Sequence, residues 1–452
     1  MGQFKKKLTI ERSLNRKRFL DYRNKKLKLL NSLNKVRANI NLYHWWDEPD
    51  NVSRILDRKR FFTIINEKIQ KAKARDFKDL LSKNKIDKNK ISGYLYWLYR
   101  DPLRVKTGKL KKLCKYLHIP YIKIEKIIID RDFPIDLNSE VVVKLFTHIL
   151  NEGHIRLYKG KIRNILYVNQ DPVLIHRVKF LIEKLGGYVF LPPPSKEAFE
   201  LKSDYLTARI MNKAGIPAGS KTIADFSLHP VILNSEKLML NHLKWTFIEE
   251  GTIGLLFDRH GFLKLYLSLS RSKDITNLFP QHIIKIFQSK YKGKSISVFS
   301  EDIPQNIRAR ILLSFPKVLE QETDFILKML EKEKVKIRVS FIHISKKGNI
   351  TANYSIRFAS EKAVEYIAEN IILKDYYGTW KEQRMKKFLK LYNEFKGVKL
   401  SPSQRNEILE IRNQYTHIPL KWALEKARSL FPSVKWLYKD EYIDKLWKRR
   451  ER

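Results

Sequence analysis

The residues whose spacing suggests chemistry come as a pair. Leu145-Phe146-Thr147-His148-Ile149-Leu150-Asn151-Glu152-Gly153-His154-Ile155 and Leu243-Lys244-Trp245-Thr246-Phe247-Ile248-Glu249-Glu250-Gly251-Thr252-Ile253 share one plan, an apolar helical run closing on Glu-Gly-x-Ile. Their acids, Glu152 and Glu250, stand 98 residues apart. A helix commonly ends on a left-handed residue, which glycine adopts without steric penalty, so each acid is expected at the C-terminal tip of a rigid element. Two such helices packed by pseudo-symmetry bring the carboxylates together, and each then disfavours the other's ionisation unless a cation intervenes. Magnesium suits such a pair, with waters and a substrate phosphate completing its shell. The pair could activate water and stabilise the leaving oxygen during in-line phosphodiester hydrolysis. A single Leu-Asn-Glu-Gly would say little, since Glu-Gly is common at helix ends. His148 reads as a packed interface histidine, and Trp245 as core.

The elements that must position these acids are legible around them. Hairpin signals, with apolar alternation about a polar turn, join Ile155–Leu157 to Ile162–Val168 and Thr252–Phe257 to Phe262–Ser268. A third joins Ile337–Ile344 to Ile350–Phe358. Helical periodicity over Pro172–Leu185 and Glu361–Ile371 alternates with them, so residues 131–385 form an α+β region that repeats itself. Residues 71–130 read as a helix-turn-helix module. Its second helix would present Lys88, Asn89, Lys90, Ser92 and Tyr94 to a groove, with Arg100, Arg104 and Lys106 reaching phosphates; the alternative is an ordinary helical subdomain. The first 40 residues carry 13 Lys or Arg against Glu11 and Asp21, a basic arm or helix. In the tail, Lys386–Phe395, Gln404–Tyr415 and Leu420–Leu430 are periodic and helical, either a second DNA-contacting module or a cap on the core.

Composition narrows the partners. Of 452 residues, 91 are Lys or Arg and 48 are Asp or Glu, a net charge of +43. Such an excess repels itself unless a polyanion or salt offsets it, and nucleic acid is the abundant polyanion. An ion-pair-rich surface would instead raise the acids along with the bases. Hydrophobic residues at 43% and aromatics at 12% suffice for sizeable cores. The single cysteine, Cys114, excludes a disulfide framework and a cysteine-based zinc site. No run approaches the roughly 18 uncharged apolar residues of a membrane span, and a cytoplasmic location is expected.

The paired motifs and several stretches after them resemble the LAGLIDADG homing endonucleases in their single-chain, two-motif form. Tyr167–Ile175 leading to Leu185-Gly186-Gly187 looks like the strand and helix after the first motif, and Ser268–Ile275 like those after the second. Ala214–Lys221 is similar to the stretch linking the halves, and Tyr354–Phe358 with Val364–Ile367 to the final strand and helix. Pro134-Ile135-Asp136-Leu137 looks like archaeal members that carry an N-terminal helix-turn-helix. The resemblance implies an α+β fold of two αββαββα halves whose motif helices meet at a pseudo-two-fold axis and whose hairpins form a saddle in the DNA major groove. It further implies a freestanding, monomeric, magnesium-dependent endonuclease of double-stranded DNA, with Glu152 and Glu250 holding Mg2+ and Lys221 near the scissile phosphate, offsetting developing charge. Saddle strands would offer Arg156, Lys161, Arg163, Lys264, Tyr266, Arg338 and Arg357 to groove or phosphates. The implied organisation is a basic helical region over 1–70, a helix-turn-helix over 71–130, halves over 131–240 and 241–385, and a helical module over 386–452. The chain departs from the family where motif helices carry small seam residues: here stand Phe146/Thr147 and Lys244/Trp245, and a tryptophan there is expected to spread or rotate the helices. Both acids are Glu where Asp is commoner. The rival readings are a non-cleaving DNA-binding transcriptional regulator on the same scaffold and an RNA-binding maturase.

Overall fold

Two Ser-Glu pairs, Ser139-Glu140 and Ser235-Glu236, start the helices on which the site rests. In the computed structural model each serine hydroxyl accepts from a backbone N–H one turn on, Val142 and Leu238, and each glutamate faces the positive end of the helix dipole. The structure describes residues 42–71, 104–194, 198–224, 226–330, 335–345, 349–358 and 360–447. The chain divides into two units, Met1–Leu42 and Tyr43–Arg452, and the fold that follows is that of the second. The expected basic arm lies outside the described residues, as do Lys88, Lys90 and the rest of the expected recognition helix.

The first helix–sheet layer runs α1 (Glu140–Asn151), β1 (Gly153–Tyr158), β2 (Lys161–Asn169), α2 (Pro172–Lys184), β3 (Val189–Phe190), β4 (Phe199–Ser203) and α3 (Tyr205–Lys213). The second runs α4 (Glu236–Glu249), β5 (Gly251–Phe257), β6 (Leu263–Asp274), α5 (Gln281–Tyr291), β7 (Ser295–Ile296), α6 (Gln305–Leu313), α7 (Lys317–Met329), β8 (Val335–Ile344), β9 (Ile350–Phe358) and α8 (Glu361–Ile367). Four α-helices close the described chain: α9 (Trp380–Phe395), α10 (Pro402–Gln414), α11 (Leu420–Leu430) and α12 (Asp440–Trp447). The result is a mixed α/β architecture with two larger antiparallel sheets, ordered β1-β2-β4-β3 and β7-β8-β9-β6-β5, beside two small two-stranded ones.

Alternation fixes which way each sheet faces. In β6, Leu263, Leu265, Leu267 and Leu269 are buried, so Lys264, Tyr266 and Ser268 leave the opposite face. Register places Ser268 opposite both Thr252 of β5 and Arg357 of β9. In the first sheet Ile155 pairs with buried Ile165, which puts Arg156 and its partner Asn164 on the other side. One continuous core runs through both layers and on into α9–α11.

Several boundaries differ from the sequence reading. Trp45, Leu56, Phe61 and Ile65 share a small core with Leu110, Cys114, Ile124 and Ile128. A division at 70/71 therefore cuts through one packed unit, whose strand Ser53–Ile55 pairs with Arg104–Lys106. The 240/241 division falls inside α4, and α9 begins at Trp380 where the reading placed a helix from 386. The helices α5–α7 were not expected at all. The apolar residues of α5 and α7 do recur at helical spacing, so their signal was present and was missed, whereas α6 shows no clear period.

Candidate functional site at two helix ends

Neither Gly153 nor Gly251 has the left-handed φ expected of a helix-terminating glycine. Each is the first residue of a strand, and a side chain there has no room. A Cβ on Gly153 would lie 2.6 Å from Ile149 Cα, and one on Gly251 would lie 2.3 Å from the Phe247 carbonyl oxygen. Close approach of strand to helix is the reason for glycine. The acid before it takes the helix C-cap, with nearly the same backbone in both copies: φ −102°, ψ −10° at Glu152 and φ −102°, ψ −18° at Glu250.

The two helix ends lie side by side, held by a polar seam. His148 is fully buried. Its Nε2 accepts from Arg177 Nε at 2.9 Å, so its Nδ1 carries the proton and donates to Glu249 Oε1 at 2.8 Å. Burial keeps this imidazole neutral by pushing its pKa down. Asn151 Nδ2 donates to Glu249 Oε2 at 2.7 Å, and the Tyr167 hydroxyl donates to Oε1. One buried carboxylate is thus satisfied by three donors from the first half. Farther along the seam, the Thr147 hydroxyl meets His242 Nδ1 at 3.0 Å, and His242 Nε2 lies 3.0 Å from Glu322. Arg271 joins Glu322 at 2.6 Å and Asn151 Oδ1 at 2.9 Å.

Trp245 does not part the helices, contrary to expectation. It is fully buried, with its ring centroid 5.1 Å from His148 and 5.0 Å from Tyr377, and with the Arg177 guanidinium 3.9 Å above it. Phe146 packs on His229, and Lys244 pairs with Glu382 at 2.8 Å, so neither occupies the seam. What joins α1 and α4 is hydrogen bonding through Thr147, His148 and Asn151, together with the Trp245 ring against His148.

Glu152 and Glu250 are close enough to feel each other. Burial first, then the charges of Glu250 and Glu249, push Glu152 up to about 7 against the pull of Lys381 and Lys221. Burial likewise raises Glu250, which Arg271 and Lys221 partly offset. Each helix end also holds a lysine. Lys221 Nζ donates to the carbonyls of Leu150 at 2.6 Å and Asn151 at 2.7 Å, with Ile149 at 3.3 Å. Lys381 Nζ donates to the carbonyls of Glu249 at 2.9 Å and Gly251 at 2.8 Å. All but the Gly251 carbonyl, which belongs to β5, are among those a helix end leaves without intrahelical partners, at the negative end of its dipole. Burial brings both lysines down to about 8. The arrangement is reciprocal: Glu250 shares a cleft of about 210 Å³ with Lys221, and Glu152 one of about 300 Å³ with Lys381.

The structure thus gathers Glu152, Glu250 and Lys221, adds Lys381, Glu249, Asn151 and Arg271, which sequence reasoning left out, and makes His148 the packed interface histidine that reading expected. Lys381 had a signal. Thr379 and Glu382 form a capping box that starts α9 at Trp380 and brings Lys381 into its first turn. Of the expected DNA contacts, Lys161, Arg163 and Arg357 are exposed and Arg156 and Tyr266 half-buried. Arg163 lies over the Tyr158 ring at 5.5 Å. Lys264 is not free, because Glu361 holds its ammonium. Arg104 is exposed on a strand, not on a helix. Arg338 takes the register position opposite Ser355, and its side chain lies outside the described residues.

Magnesium could be held by one or two carboxylates with waters and a substrate phosphate filling its shell; here Glu152 and Glu250 line separate clefts, and Lys221 and Lys381 take the carbonyls beside them. Among the described residues, no group of three or more His, Cys, Asp or Glu is placed to hold a metal ion. Among them, too, no helix is long and apolar enough to cross a membrane.

No protein-family model matches the chain, and no curated protein matches it. Among solved structures it is similar to full-length DUF199/WhiA from Thermatoga maritima, at 12% identity over 70% of this chain and 92% of that one, with a TM-score of 0.28. These findings overturn the expectation of membership in the LAGLIDADG homing endonucleases. No model of that family matches.

Proposed function

We propose that this chain is a double-stranded DNA-binding protein, a regulator that grips its site without cutting it, on a LAGLIDADG-like scaffold of two related halves. Support for binding comes from charge. The excess of 43 positive charges far exceeds what ion pairs can absorb, and Arg156, Lys161, Arg163, Tyr266 and Arg357 stand on or beside the hairpins that would face a groove or phosphates. The reading of gripping without cutting is carried by one observation: an ammonium group plugs each of the two helix ends. Lys221 and Lys381 partly offset the charge of Glu152 and Glu250 from within the protein, and the two acids line separate clefts rather than one shared metal pocket.

The test is to incubate the protein with fragmented genomic duplex DNA, with magnesium and with chelator, then map both footprints and ends. Protected sites with intact ends, and equal affinity in the two buffers, are expected. Binding should weaken steeply with salt. Double-strand ends that appear in magnesium and vanish in Glu152→Gln would overturn the non-cleaving reading.

A further inference from the structure

The cleft that holds Glu152 continues outward beneath the C-terminal helices, where Arg384, Thr416 and His417 line it. Lys381 and Arg384, three residues apart on α9, lie on one face of that helix. The Arg384 guanidinium sits 5.3 Å from the Phe388 ring, and its buried Nε has no hydrogen-bond partner. The neighbouring charge that acts on it is Arg412, of the same sign, which with burial lowers its pKa. Two of the acids on the cleft wall are already engaged, and the third, Glu152, is pushed up to about 7 by burial and its neighbouring carboxylates, so it is partly neutral near that pH. Asp171 accepts from the backbone N–H of Val173 at 2.9 Å and of Trp380 at 2.7 Å, while Glu249 is taken up by the seam. A half-buried cation facing a like charge, with its buried Nε unmet, is an unfavourable arrangement in the free protein. An arriving anion would relieve it.

We propose that this cleft binds a backbone phosphate of duplex DNA, with Arg384 as the donor and Arg412 reinforcing the positive field. The planar guanidinium matches a phosphate's paired oxygens, and Asn169, Gln170 and Thr416 on the cleft and its rim offer further polar groups. The C-terminal helices thereby become part of the DNA-binding surface as well as a cover for the core. The inference rests on the DNA-binding reading, and its experiment separates the two.

Fluorescence anisotropy with a labelled duplex is measured across a salt series for the wild-type chain, Arg384→Gln, Arg384→Lys and the exposed-lysine control Lys426→Gln. Arg384→Gln is expected to weaken binding by about 3–10-fold and to reduce the log–log salt slope by about 0.9, the contribution of one phosphate contact. Arg384→Lys should recover part of the loss and Lys426→Gln should match wild type. The melting temperature of free Arg384→Gln should stay the same or rise, since an unmet half-buried charge is gone. Unchanged affinity and slope in Arg384→Gln would overturn the phosphate site while leaving DNA binding intact. Affinity lost only in step with a fall in melting temperature would overturn it too, by making Arg384 structural. A wild-type chain that shows no salt-dependent binding to duplex would remove the reading beneath it.

Discussion

At Glu152, burial and two neighbouring carboxylates push the same way, and two lysines answer them. The folded pKa of about 7 lies above the ordinary 4.5, so between those values the folded chain holds more of this proton than the unfolded chain does. The stabilisation this gives is complete below about 4.5 and is lost as pH rises through about 7. Lys221 and Lys381 behave oppositely. Both fall from 10.5 to about 8, so their stabilisation is complete above 10.5 and is lost as pH falls through about 8. Urea midpoints should therefore pass through a minimum between about 7 and 8. A tenfold change in proton affinity corresponds to about 1.4 kcal/mol, so the acid limb amounts to on the order of 3 kcal/mol. Glu152→Gln should flatten that limb and Lys381→Met should reduce the alkaline one. A midpoint that rises steadily from acid to neutral pH would show that these groups do not titrate as placed.

At the level of elements, the reason for glycine is what distinguishes this helix-to-strand junction. A left-handed cap would accept Asn almost as readily as Gly. A close approach rejects every side chain, and the Phe247 carbonyl oxygen stands 2.3 Å from where a Cβ would be. Gly251→Ala and Gly251→Asn are expected to destabilise the protein alike, by about 1–3 kcal/mol, through overpacking. Chemical denaturation of the two variants checks this, and rescue by Asn alone would restore the capping explanation. Much of the element order could be read beforehand. All three hairpins and the motif helices form where alternation and periodicity put them, because those signals are local. The start of α9 was missed because its apolar residues begin a clear period only later, whereas the capping box that sets its true start lies in Thr379 and Glu382.

For the whole molecule, the continuous core from the first layer through α11 bears on cooperativity. The C-terminal helices fasten to both layers. Trp436 Nε1 donates to the Leu191 carbonyl at 3.0 Å on the first, and Arg412 Nη1 donates to the Leu255 carbonyl of the edge strand β5 at 3.5 Å on the second. Covering that edge also removes a surface on which another chain could add a strand. Calorimetry is expected to show residues 131–447 melting as one transition. Two separated transitions would mean that the halves are joined only loosely. The sequence by itself determined the basic surplus, the alternation of helices and hairpins, and the repeated Glu-Gly junction, since each is written in composition or in short-range periodicity. Only the tertiary structure decided what the acids face. Lys221 and Lys381 come from segments 69 and 131 residues beyond the acids of their own halves, a mismatch that conceals their equivalence. Their ammonium groups reach the helix ends only when packing brings distant segments together, and that contact decides whether a carboxylate pair stands open to a metal or is already answered from within.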